Sequence, residues 1–211
     1  MHTPTLTRAT LTLLAGLFFA SPALAAAPGE VPGPKERIDA VYARVAEATR
    51  TVASQDELVV ALTKTLDDLM DYEAFAKRTL KTSWPTLTKA QRDLFMDRFK
   101  KLVVVVYAKR FKPRTAFTVG WREEGVRYKG DAKTEAKVMS TLKGGAVAAD
   151  VDYYLSLGGT AAKDRWFVYD FEIDQVSMAL NWRKRFESII KKDGFDALIK
   201  RIETRIEKAE D

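Results

Sequence analysis

Apolar positions recur along this chain at two different periods, and the change from one to the other divides it. Between Glu36 and Phe111 they return every three or four residues: Ile38, Val41, Tyr42 and Val45, then Leu58, Val59, Leu62, Leu66 and Leu69. That is the spacing of the buried stripe of an amphipathic helix. Ser54 stands ready to cap the second run, and Asp71 a short YEAFAKRTL helix with Tyr72, Phe75 and Leu80 turned inward. Thr88 and Gln91 form a Thr-x-x-Gln capping box ahead of Phe95, Phe99, Leu102 and Val106, with Leu94, Val103 and Tyr107 widening the stripe. The segment KKLVVVVYAKRF (100–111), whose β-branched residues alone suggest a strand, falls in register with this stripe. The spacing predicts one helix over 88–111, about 36 Å long, stopped by Pro113.

Beyond Pro113 the period becomes two. Phe117, Val119 and Trp121 alternate with small or polar residues, a turn is expected at Glu123-Glu124-Gly125, and a short strand around Val126 and Tyr128. Thr134, Ala136, Val138, Ser140 and Leu142 share one face of the next strand, which a Gly144-Gly145 turn joins to Val147, Ala149, Val151, Tyr153, Leu155 and Leu157. After Gly158-Gly159, the positions Phe167, Tyr169, Phe171 and Ile173 form the apolar face of the last strand. One face apolar and one polar throughout describes an antiparallel meander. Helical spacing then returns in Met178, Trp182, Phe186 and Ile189, stops at Gly194, and resumes in Phe195, Leu198, Ile199, Ile202 and Ile206. The predicted class is α+β, with N-terminal and C-terminal helices packed on one face of a twisted antiparallel sheet.

Composition changes this picture mainly at the N-terminus. Arg8, the apolar run LTLLAGLFFA and the small-x-small Ala23-Leu24-Ala25 together read as a secretory signal peptide over 1–25. A leader with three prolines and two glycines is expected over 26–36, and a single domain over 37–211. Cleavage leaves about 185 residues, enough for one well-cored domain, and lowers the net charge from +6 to +5, since the segment holds one arginine and no acid. It also removes His2, the only histidine, and the chain has no cysteine. Ser-His-Asp and Cys-His mechanisms, disulfides and the usual zinc ligands are thereby excluded from the exported product. No phosphate-cradling glycine motif is present. Paired carboxylates remain formally available for hydrolysis among 29 acidic residues. Basic residues gather at both ends of the long helix and in WRKRF (182–186). In an exported protein these suit anionic lipid headgroups or acidic protein surfaces rather than nucleic acid.

Val104 and Val105 lie off the Phe95–Phe99–Val103–Val106 stripe, so the long helix is apolar almost all round and must be covered on more than one side. Two readings stay open: a central core helix, or a helix with one side against an apolar ligand. The small inward residues Thr134, Ala136 and Ser140 are equally two-sided, since they allow either close helix approach or free volume.

A resemblance bears on that choice. The tail carries Trp166, Val168, Tyr169 and Asp170, then Val176-Ser177-Met178, Asn181-Trp182-Arg183 and Phe186, then Gly194 and Leu198-Ile199. Upstream stand Phe75, Ala76, Leu80, Trp84, Thr88, Gln91, Phe95, Phe99, Leu102 and Tyr107, and between them Asp150-Val151-Asp152-Tyr153. In order and spacing this resembles the MlaC family of lipid-binding proteins, the toluene-tolerance auxiliaries of ABC transport systems. Asp174-Gln175 departs from the family's usual Glu/Asp-Gly, Trp182 from its tyrosine, and Lys81 from its glycine. The resemblance implies an NTF2-like fold with an apolar pocket between helices and sheet. It also implies a periplasmic monomer that is no enzyme, with phospholipid as cargo and neither metal nor cofactor. Its implied partners are an outer-membrane lipoprotein complex and an inner-membrane ABC transporter with a lipid-binding ring. With helix spacing and strand alternation, the candidate lipid contacts are Phe75, Trp84, Phe99, Val103, Val106 and Tyr107 on the first helices. The strands add Val138, Val151, Tyr153, Phe167, Tyr169 and Phe171, and the next helix Met178 and Trp182. A hopanoid or other lipid as cargo, a carboxylate-dependent hydrolase and a fully packed interaction module are the alternatives.

Overall fold

The computed structural model describes residues 31–108, 110–144, 147–159 and 164–210. The expected signal peptide, most of the leader and the centre of the Gly144-Gly145 turn lie outside the described residues. The chain runs α1 (Pro34–Thr51), α2 (Gln55–Leu69), α3 (Tyr72–Thr79), a 3-10 turn (Trp84–Thr86) and α4 (Lys89–Ala108). Then follow β1 (Thr118–Lys129), β2 (Glu135–Gly144), β3 (Val147–Leu157), β4 (Trp166–Ile173) and β5 (Val176–Ser177), and finally α5 (Met178–Asp193) and α6 (Phe195–Glu210). The strands form one antiparallel sheet in chain order, and the helices pack against it, an α+β architecture.

Helices α2 to α5 each start at a side-chain cap. The Ser54 hydroxyl accepts from Glu57 N (3.2 Å), and the Asp71 carboxylate from Ala74 N (2.9 Å). Thr88 and Gln91 close the capping box reciprocally, Thr88 N donating to Gln91 Oε1 (2.9 Å) and Gln91 N to Thr88 Oγ1 (3.2 Å). Ser177 caps α5, and Gly194 ends it at φ 87°. Proline at the first helical position, where no N–H is needed, lets α1 begin at Pro34, so residues 34–36 form a helical turn instead of leader.

Three local expectations are corrected. The long helix ends at Ala108, not at Phe111. The Pro113 ring would clash with the carbonyl four residues back, at position 109, and the chain instead tightens into turns closed by Arg110 N to Tyr107 O and Phe111 N to Ala108 O. The expected turn at Glu123–Gly125 is a bulge inside one continuous β1. Its pairing slips between Trp121 and Val126, and Gly125 takes φ 44°. In β4 a register shift leaves Tyr169 unpaired, because Tyr154 faces Asp170 while Leu155 faces Val168. One extra residue inverts side-chain phase beyond it. Val168 and Trp166, not Tyr169 and Phe167, therefore join the core with Phe171.

The core has an aromatic centre. Phe75, Phe95 and Phe99 are almost wholly buried, with Phe95 and Phe99 stacked at 5.1 Å and Phe75 at 5.1 Å from Phe99. Trp182 and Phe186 of α5 meet Phe99 edge-on at 6.3 and 5.8 Å. All of Val103, Val104 and Val105 are buried, so α4 is covered on several sides. On the sheet's other face, buried Asp152 binds both Arg122 and Lys137 (2.8 Å), and Lys137 reaches Glu172 (3.2 Å).

Candidate functional site

Between the α1–α2 layer, the last turns of α4 and the sheet lies an apolar cavity of about 140 Å³. Val41, Tyr42 and Val45 of α1 line it from one side, and Leu62, Leu66, Leu69 and Met70 from α2 and its end. The α4 end adds Val103, Tyr107, Ala108, Arg110 and Phe111. Leu142, Ala149, Val151, Tyr153, Phe171 and Ile173 form the sheet wall. Arg110 is the one charged residue in this lining.

The cavity exists because the helices meeting there are held at its margins rather than its middle. Asp71 N donates to Val168 O (2.9 Å), and Met70 pairs with Val168 in a parallel bridge, so the end of α2 is stitched to β4. Arg37 of α1 donates to Asp68 O (2.5 Å) and pairs with the Asp68 carboxylate, which Arg44 (2.8 Å) and Arg165 (2.7 Å) also approach. At the opposite margin Arg114 N donates to Thr49 O (2.6 Å), and Gln55 Nε2 to Ala108 O (3.4 Å).

One polar feature enters the apolar wall. The Tyr42 hydroxyl lies 2.7 Å from that of Tyr153 and 3.2 Å from Ser140 Oγ, and Ser140 donates to Val151 O (2.9 Å). Three hydroxyl protons serve three bonds when the chain runs Tyr153 to Tyr42 to Ser140 to the carbonyl, so no donor is left over. Burial raises the pKa of Tyr42 and, more strongly, of Tyr153, keeping both phenols neutral. Burial also pushes Tyr107 up to about 12, partly offset by the neighbouring Trp182 side chain and the Arg110 charge.

Of the candidate contacts, Val103, Tyr107, Val151, Tyr153 and Phe171 come together in this lining. Phe75, Trp84, Phe99, Val138, Met178 and Trp182 belong to the close-packed core beside it, where Phe75 touches Phe171 at 5.9 Å. Val106 faces a surface groove against α6. Phe167 and Tyr169 lie beyond the β4 bulge, Phe167 under the Arg165 guanidinium and Tyr169 beside Glu135. The small residues Ala136 and Ser140 serve close packing, being 3% and 0% exposed and absent from the lining. Sequence reasoning missed the α1 and α2 contribution as lining. Its stripes are visible at Val41, Tyr42, Val45 and at Leu62, Leu66, Leu69, but a stripe marks a buried face without saying whether a neighbour fills it.

Among the described residues no helix is long and apolar enough to cross a membrane, and no group of three or more acidic, histidine or cysteine residues has the arrangement to hold a metal. The fold and cavity define a class: a helix-and-sheet protein with a largely apolar space between its layers and, among the described residues, no carboxylate or histidine in its lining. Residues 35–204 match the model of the MlaC protein family, and the chain belongs to that family. A solved structure described as the phospholipid-binding protein from Ralstonia solanacearum in complex with a phospholipid has a similar fold. Its TM-score is 0.72 at 16% identity, over 85% of this chain and 100% of that one. No curated protein matches the chain.

Proposed function

We propose that this protein is a periplasmic lipid carrier that shelters phospholipid acyl chains in the cavity between α1–α2 and the sheet. The observation that carries the proposal is that cavity, largely apolar and with a single charged lining side chain, in a member of the MlaC family. The phospholipid bound to the Ralstonia solanacearum protein of the same fold supports it. In this reading the protein receives lipid from one membrane and delivers it to the other. Its partners are an outer-membrane lipoprotein complex and an inner-membrane ABC transporter, and it works as a monomer after its signal peptide is removed.

The physical case rests on solvent. Each methylene left in water costs roughly 0.8 kcal/mol, so a lipid with about 30 of them costs on the order of 24 kcal/mol if unshielded. A carrier must cover nearly all of that surface, whereas it needs no catalytic group, because moving a lipid makes and breaks no covalent bond. A cavity of about 140 Å³ has the volume of about five water molecules at roughly 30 Å³ each.

Organic extraction of the protein purified from its native host, followed by lipid mass spectrometry, tests the proposal. About one phospholipid per chain is expected. Protein that is recovered empty and takes up no lipid from vesicles overturns it. The same measurement separates a phospholipid from a hopanoid cargo.

A further inference from the structure

The cavity's single charged lining residue sits where α4 ends. Arg110 follows the last helical turn, its backbone N–H closing onto Tyr107 O (3.1 Å) and its guanidinium lying 5.9 Å from the Tyr107 ring centre. The side chain is exposed, yet it borders the apolar lining next to Phe111 and Ala108. Among the described residues it forms no ion pair, unlike Arg37, Arg44 and Arg165, which share Asp68 at another margin. The cavity margin at this point thus carries a cation, while the rest of the lining is uncharged.

We infer that Arg110 recognises the phosphodiester of a lipid whose chains occupy the cavity. This rests on the carrier reading above and names the residue that gives a phospholipid its advantage over a neutral lipid of the same chain length. A guanidinium suits this role because its planar fork meets phosphate oxygens in pairs and it stays charged at any physiological pH. Tyr107 orients it from below through its ring face. The plainer account is that Arg110 only complements the partial negative charge at the α4 C-terminus. That account gives the residue no preference between lipids.

The two accounts separate in an uptake assay on the delipidated mature chain. Phosphatidylglycerol, phosphatidylethanolamine and diacylglycerol with identical acyl chains are offered in separate vesicles. Wild type should load both phospholipids over diacylglycerol. Arg110→Ala should lower phospholipid loading about tenfold, 1.4 kcal/mol at 25 °C, with diacylglycerol loading unchanged, and Arg110→Lys should fall between. Raising salt from roughly 0.1 to 1 M should narrow the preference of wild type more than that of the variant. Inorganic phosphate alone should show no saturable binding by calorimetry; saturable binding overturns the assignment to a lipid-borne phosphate. A phospholipid-to-diacylglycerol ratio identical in wild type and Arg110→Ala overturns the assignment while leaving the carrier reading intact. Uptake of neither lipid by wild type overturns both.

Discussion

Asp174 and Gln175 show how much a single position decides. They are the two central residues between β4 and β5, and both have positive φ, 48° and 66°. A two-residue connection with that geometry is a type I′ turn, which matches the twist of the flanking strands and favours Asp-Gly or Asn-Gly. Asp174 fits, but Gln175 carries a side chain in a region where left-handed backbone costs roughly 1–2 kcal/mol. Gln175→Gly relieves that strain and in part loses it again to chain entropy. A net gain of about 1 kcal/mol and a rise in Tm of about 2–4 °C are expected in thermal unfolding; a lower Tm contradicts the turn assignment. The same turn explains why Asp174-Gln175 stood out against the family's usual glycine while its cause was invisible. Sequence displays the residue, but only the φ angle displays the strain.

At the scale of elements, most boundaries were legible and most registers were not. Caps act through bonds between residues three apart, so Ser54, Asp71 and Thr88 could be read locally. The β4 bulge at Tyr169 was hidden because it depends on what β3 offers opposite. One of its consequences is Asp170, 2% exposed, whose carboxylate reaches over to the start of α5. It accepts from Phe171 N (2.9 Å), Ser177 Oγ (2.7 Å) and Ala179 N (3.1 Å), with Arg78 at 3.7 Å. The motif residue thereby positions the helix that carries Trp182 and Phe186 into the core. Asp170→Ala leaves buried donors without acceptors, each worth roughly 1–3 kcal/mol. A loss of about 3 kcal/mol, or about 6–12 °C in Tm, is expected by calorimetry. A shift under 2 °C would show that α5 is held by packing alone.

For the whole molecule, the decisive feature is that two apolar regions on one sheet face are filled differently. Around Phe75, Phe95, Phe99 and Trp182, interlocking rings leave no room. A few residues away, between Tyr42, Leu66 and Val151, the layers enclose open volume. Filling that volume should block loading without unfolding the protein. Ala149, half-buried on β3 in the cavity wall, is the position of choice. Ala149→Phe should keep the thermal midpoint within about 3 °C of wild type, since the new ring occupies existing space instead of overpacking a full core. Its lipid content by mass spectrometry should fall at least fivefold. A variant that loads lipid normally would place the acyl chains elsewhere in the fold.

The amino-acid sequence by itself determined the α+β class, the caps at Ser54, Asp71 and Thr88 and the helical state of KKLVVVVYA (100–108). These follow from periodicity and from bonds between near neighbours, which a linear reading contains. It also singled out the stripes that turn inward. Which of those inward side chains meet a partner and which border empty space was decided only in the tertiary structure. Phe99 and Tyr107 stand on one helix with the same apolar signature, yet the first is packed among rings and the second borders the cavity. The difference lies in the elements brought opposite them: α3 and α5 for one, the separated α1–α2 layer for the other. Packing is a property of distances between segments far apart in the chain, and no local pattern encodes it.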